Sequence, residues 1–255
     1  MSFVVAVAGK GGTGKTSLSA LLIDRLVSSG RTPVLAVDAD ANDNLGDALG
    51  LRVEETIGDL SDDFFKNRMS LPAGMPKEAY LDMKLNGLIV ESKGFDLVVM
   101  GHPEGPGCYC YLNNLLKAHL DKLIANYRFA VVDNEAGMEH LSRRTTPVIG
   151  ALLVVADCSV KAVRAAGRIR ELSSQLDLRV SHMGLVLTKT NGSASEALEA
   201  EIARTGLPVW AKVPDDRAIF EQDVNGRPLT AIQGGGAREA VAGLVERLVA
   251  LAEAG

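Results

Sequence analysis

Gly9-Lys10-Gly11-Gly12-Thr13-Gly14-Lys15-Thr16 follows the apolar run Phe3-Val4-Val5-Ala6-Val7-Ala8 and precedes a stretch of helical spacing from Ser17 to Val27. Glycine, four residues, glycine, lysine and threonine between a strand and a helix form a loop that wraps phosphate. Its glycines let successive backbone N–H groups turn inward, and the helix that begins near Lys15 adds its positive end. The spacing assigns Gly9, Gly11, Gly12, Thr13, Gly14 and Ser17 to the nucleotide cradle. Lys15 is expected at the terminal phosphates and the Thr16 hydroxyl at a magnesium ion. A glycine-rich turn that binds nothing is the plain alternative, but it leaves the flanking strand and helix unexplained.

Outward from this loop, composition sets bounds. With 255 residues, 47% of them hydrophobic, the chain can bury one large core, so a single domain over residues 1–255 is expected. A net charge of −5 offers no broad basic field for nucleic acid. No apolar run approaches the roughly 20 residues that span a bilayer, and Met1-Ser2-Phe3 enters a strand without a charged leader. These features point to a cytoplasmic protein with neither nucleic acid nor membrane as partner. Three cysteines do not make a disulfide framework and fit a reducing compartment.

After the first helix, Thr32 to Val37 reads as a buried strand ending in Asp38. Acidic residues at such a strand end face the ligand crevice of a doubly wound sheet. Asp38-Ala39-Asp40-Ala41-Asn42-Asp43-Asn44-Leu45 also suits turn and N-cap chemistry ahead of a short helix at Leu45 to Leu49, Asp43 above all. Residues Leu51 to Leu85 have little period and are expected to form short helices and loops over one edge of the sheet. Gly87 to Glu91 and Phe95 to Met100, joined by Ser92-Lys93-Gly94, read as a hairpin.

Gly101-His102-Pro103-Glu104-Gly105-Pro106-Gly107-Cys108-Tyr109-Cys110 must be a loop. Its two thiols can face one metal but fall short of four ligands, so a two-fold dimer that joined two such loops would complete the shell. Leu112, Leu115, Leu116, Leu120, Leu123 and Ile124 recur at helical spacing, which places Cys110 near a helix N-terminus, where thiolate is favoured. Packing of both cysteines as small apolar residues and a strained Cys108–Cys110 disulfide are the alternatives.

Tyr127 to Val132 reads as a strand ending in Asp133, with about twenty residues between Cys110 and that end. Gly150 to Ala156 and Gly184 to Leu187 read as further strands, Val160 to Leu176 as a helix, and Arg238 to Glu253 as a core helix, amphipathic but not basic. The fold class is therefore α/β: a mostly parallel twisted sheet with helices on both faces. Cys158, after Asp157 at a strand end, is expected to be a buried structural thiol, with a place lining the crevice as the alternative. His102 and His140 are left out of the metal set.

A second lysine at Lys10 makes the loop resemble the deviant phosphate loop of the MinD/ParA and nitrogenase iron-protein class of ATPases. That resemblance implies an ATP-dependent homodimer in which Lys10 reaches the partner's nucleotide; a solvated charge beside phosphate is the alternative. It further implies that Asp40 positions the attacking water and that Asp38 lies close to the magnesium shell. Asp133-Asn134-Glu135-Ala136-Gly137 resembles the class's second switch, with Asp133 reaching magnesium through water and the Gly137 N–H sensing the terminal phosphate. Lys189, Pro214 and Asp215 stand where the class contacts the base, with Asn225-Gly226-Arg227-Pro228 following. Thr188-Lys189 departs from the usual Asn-Lys.

Taken with Cys108-Tyr109-Cys110 and Asp133 to Leu141, the chain resembles the CooC family, the nickel-insertion ATPases of carbon monoxide dehydrogenase maturation. What this implies is a shared Cys108/Cys110 site for Ni2+, or Zn2+ in its place, and an apo nickel enzyme as client. Three other functions share parts of the pattern: a positioning or partition ATPase, an iron–sulfur electron carrier, and a structural zinc dimer.

Overall fold

Eight strands form one sheet in the order β3-β4-β2-β5-β1-β6-β7-β8, parallel except for β3. This computed structural model describes residues 2–40, 42–66, 75–101, 118–135, 148–176 and 178–255. The central strand β1 (Phe3–Gly9) is buried from Val4 onward. Its unbroken apolar run suits a parallel strand covered on both faces. It pairs with β5 (Phe129–Asn134) on one side and β6 (Ile149–Asp157) on the other. From β1 the chain crosses to β2 (Val34–Ala39), later returns to β5, and then builds outward through β6, β7 (Val180–Thr190) and β8 (Val209–Pro214). The order reverses at β1, so the crevice at the carboxyl ends of the strands opens beside the phosphate loop.

One face carries α1 (Lys15–Ser28), α2 (Asn44–Leu49) and α9 (Gly236–Ala254). Leu18, Leu22 and Leu26 of α1 and Val241, Leu244, Val245 and Leu248 of α9 meet Val5, Val7 and Val131 of the sheet. Each such aliphatic side chain contributes roughly 1.5–3 kcal/mol on burial, so α9 is a core helix, as its pattern implied.

The opposite face is covered in two halves. One half is α3 (Ile57–Lys66), α4 (Lys77–Gly87) and α5 (118–124), whose Ile57, Leu60, Leu81, Leu85, Leu120 and Ile124 pack on Leu35, Val37, Ala130 and Val132. The other half is α6 (Val160–Gln175) and α7 (Glu196–Thr205), over Ala6, Ala8, Leu152, Val154, Leu185 and Leu187. The described residues between 51 and 85 therefore cover a face, not an edge as their sequence suggested.

The hairpin exists, but β3 is only Val90–Glu91, paired with β4 (Phe95–Val99). Gly87 ends α4 instead of starting the strand. Among the described residues no helix is long and apolar enough to cross a membrane.

Candidate functional site

A cleft of about 750 Å³ opens at the carboxyl end of the sheet. It is lined by Gly11, Gly12, Gly14, Lys15, Thr16 and Ser17 on one side and by Thr188, Lys189, Pro214 and Asp215 on the other. Asp40 stands at its rim. Gly9 lies deeper, against β6: a Cβ there would stand 2.3 Å from the Val155 carbonyl oxygen. Gly14 has φ +82° at the N-cap of α1, a conformation that L side chains rarely adopt. The loop closes on itself through Thr13, whose hydroxyl donates to the Lys10 carbonyl at 2.7 Å.

β7 then pins this loop. Thr188 Oγ1 donates to the Thr13 carbonyl at 2.6 Å, and Lys189 Nζ donates to the Gly12 carbonyl at 2.9 Å from a backbone at φ +52°. Both side chains of the departing Thr188-Lys189 pair thus shape the phosphate loop. Lys15 is 7% exposed, while Lys10 lies exposed outside its own cleft.

Two buried carboxyl groups stand at the ends of neighbouring strands beside the phosphate loop, where Asp38 pairs in register with Asp133. Asp38 is fully buried and accepts the Asp40 N–H at 3.1 Å and the Leu45 N–H at 2.8 Å. It therefore caps α2 from seven residues upstream, whereas Asp43, at the N-cap position, makes no capping bond. Burial lifts the Asp38 carboxyl to about 7 against those two bonds. Asp133 is lifted to about 6, again by burial, opposed by the Thr16 and Ser19 hydroxyls and the Lys15 charge. Its Oδ1 accepts from Ser19 Oγ at 3.1 Å, and its Oδ2 is buried with no hydrogen-bond partner. A carboxyl group near Thr16 and Lys15 with one buried, unsatisfied oxygen fits a hydrated cation beside the phosphates.

Asp40 Oδ1 accepts from the backbone N–H and side-chain amide of Asn42 at 3.0 and 2.8 Å, so it sits in a tight turn at the rim. Cys108, Cys110, Gly137, His102 and His140 lie outside the described residues. Among the described residues no His, Cys, Asp and Glu cluster is arranged to hold a metal ion. Cys158 is exposed at the end of β6, contrary to the buried thiol expected; the strand's last buried residue is Ala156. Gly226 and Pro228 border a separate cavity with Asp43, Gly50 and Val53, so that turn does not reach the nucleotide cleft.

Sequence reasoning missed several residues here. Ser19 is one helical turn past Lys15 and carried a readable signal, since position four faces the same way. Asp216 was readable as a cap before an apolar helix; its Oδ1 accepts the Ala218 N–H at the start of α8 (Arg217–Val224) and its Oδ2 the Ala237 N–H of α9. Phe220, on α8 at the cleft mouth, carried none.

Comparison with known proteins agrees with this geometry. Residues 4–229 match the CbiA family, the CobQ/CobB/MinD/ParA nucleotide binding domain. An uncharacterized ATP-binding protein of Methanocaldococcus jannaschii is 41% identical over 228 residues, 89% of this chain and 90% of its own. The carbon monoxide dehydrogenase accessory protein CooC of Rhodospirillum rubrum is 27% identical over 69% of this chain and 70% of its own. The septum site-determining protein MinD of Pyrococcus horikoshii, solved with Mg-ADP, superposes with a TM-score of 0.68 at 22% identity, over 97% of this chain and 96% of that one. The chain belongs to the CobQ/CobB/MinD/ParA nucleotide-binding family of P-loop ATPases.

Proposed function

We propose that this ATPase is a metallochaperone: it binds nickel as cargo through Cys108 and Cys110 at a homodimer interface and delivers it to an apo nickel enzyme, carbon monoxide dehydrogenase foremost. The observation that carries the reading is how the described chain on either side of the cysteine segment is held. Its entry is β4, whose following residue Met100 donates its N–H to the Asp38 carbonyl at 2.8 Å. Its exit is α5, whose Leu120 and Ile124 pack on Ala130 and Val132 of β5, the strand that ends in Asp133. Both ends of the segment are thus tied to strands that carry the carboxylates of the nucleotide cleft. Similarity to the CooC accessory protein supports the same reading.

In this mechanism Lys15 and the backbone of Gly11, Gly12 and Gly14 hold the phosphates of ATP. Thr16, with Asp133 and Asp38 behind it, holds Mg2+, which when bound offsets charge on the terminal phosphates. Asp40 orients the attacking water, and Lys10 of one subunit reaches the nucleotide of the other. Hydrolysis is slow and depends on the dimer. If ATP favours the closed dimer and the closed dimer favours nickel, each ligand must tighten the other's binding.

Nickel bound per protomer, with molecular mass read in parallel, tests this in the wild type and in Cys108→Ser/Cys110→Ser. One nickel per dimer, lost in the double variant and tightened by ATP, is expected. Square-planar geometry separates nickel cargo from tetrahedral structural zinc. No cysteine-dependent metal would leave a positioning ATPase of the MinD/ParA type, which the fold fits equally.

A further inference from the structure

We propose that Phe220 is the stacking platform for the nucleobase and that this chain reads its base by stacking, so adenine and guanine nucleotides both serve. The inference rests on the nucleotide reading of the cleft and deepens it.

Phe220 lines the cleft yet is 66% exposed, one of the two most exposed large apolar side chains among the described residues. An aromatic face left in water at the mouth of a phosphate-binding cleft gains by covering a flat π-system. Pro214 and Ile219, neighbours of Phe220 in the chain, and Leu18 and Leu21 from α1 add apolar surface to the same cleft. Because Asp216 caps both α8 and α9, the helix that presents Phe220 is held at its start from two directions. The platform is fixed in place.

The polar side chains at this end are mostly spent. The Thr188 hydroxyl is buried and donates to the Thr13 carbonyl. Lys189 donates to the Gly12 carbonyl. Each Asp216 oxygen accepts a helix N–H. What remains is Asp215 and Asp223 and the further N–H donors of the Lys189 ammonium, all exposed. Carboxylates only accept: adenine offers them its 6-amino group, and guanine its N1–H and 2-amino group. Strong discrimination needs a buried polar group that the wrong base leaves unpaired, and these side chains supply none.

The test is the Kd of ATP, GTP and inorganic tripolyphosphate, each with magnesium, for the wild type, Phe220→Ala, Phe220→Trp and Lys15→Ala, with molecular mass followed. Expected are ATP and GTP affinities within about tenfold of each other in the wild type. Phe220→Ala should weaken both nucleotides by about tenfold or more, leave tripolyphosphate unchanged, and be rescued by Phe220→Trp. If Phe220→Ala leaves both nucleotides unchanged, or changes mass and not affinity, the platform is overturned while the site stands. A preference for ATP far above tenfold overturns the base tolerance. If Lys15→Ala loses neither tripolyphosphate nor ATP, the cleft itself has been misread and the inference falls with it.

Discussion

Asp38 and Asp133 stand side by side on neighbouring strands, both buried, and burial raises both carboxyl groups, to about 7 and about 6 from 3.8. Asp43 is shifted the same way, by burial and then by Asp59 and Asp40. A carboxyl that holds its proton more tightly folded than unfolded makes the folded chain the better proton binder between the two pKa values. Stability therefore falls as pH rises through that window. Without nucleotide, the unfolding midpoint should drop from pH 5 to pH 8, by a stability loss on the order of 1–3 kcal/mol. Saturating Mg-ATP should flatten the curve, because bound cation compensates the ionised pair. Thermal melts across that range, with and without Mg-ATP, provide the check; a midpoint that is flat or climbs in the apo protein contradicts the burial argument.

At the scale of elements, what positions the cleft is a set of caps that reach across the sequence. Asp216 joins α8 to α9 over 21 residues, and a Cβ at Gly235 would stand 2.5 Å from its Oδ2, so the glycine there lets the carboxylate approach. Replacing one capping carboxylate costs about 1 kcal/mol per helix end. Asp216→Ala should thus lose roughly 1–3 kcal/mol in denaturant unfolding and weaken ATP several-fold by loosening the wall that carries Pro214 and Phe220. An unchanged denaturation midpoint would show that the two bonds are redundant.

These caps also mark what the sequence could not disclose. The phosphate loop, the strand-end acids and the sheet's parallel character were legible because each depends on neighbours within a few residues. That Asp38 caps α2, that Thr188 ties down Thr13, and that Asp216 serves a second helix depend on pairings 7, 175 and 21 residues apart. The chain between α2 and β3 was illegible for a related reason. Among the described residues, the buried apolar side chains are Ile57 and Leu60 in α3 and Leu81 and Leu85 in α4, too few to establish a period. Cys158 was misjudged because the strand before it is apolar to its last buried residue, and only the register with β7 shows where that strand leaves the core.

On the scale of the whole molecule, the position of Lys10 bears on assembly. Its carbonyl closes the phosphate loop by accepting from Thr13, but its side chain is exposed and does not line the cleft of its own chain. Lys15, five residues on, is buried within that cleft. Two lysines in one loop are thereby separated in direction, one inward to the chain's own ligand and one outward. Gly11 and Gly12 beside Lys10 are exposed as well, so the proposed contact of Lys10 with a phosphate held by a second subunit meets no covering side chain from these neighbours. Lys10→Ala should keep ATP affinity within about threefold, since removing an exposed charge outside the site changes little. It should abolish the ATP-dependent doubling of mass and, with it, turnover. Lys15→Ala should lose nucleotide binding outright. Light scattering with ATP, beside nucleotide titration of both variants, distinguishes the two lysines. If Lys10→Ala weakens ATP as severely as Lys15→Ala does, the lysine acts within its own subunit; if the wild type is a monomer both with and without ATP, the proposed shared nickel site loses its geometric basis, because two thiols from one chain are half of a four-ligand shell.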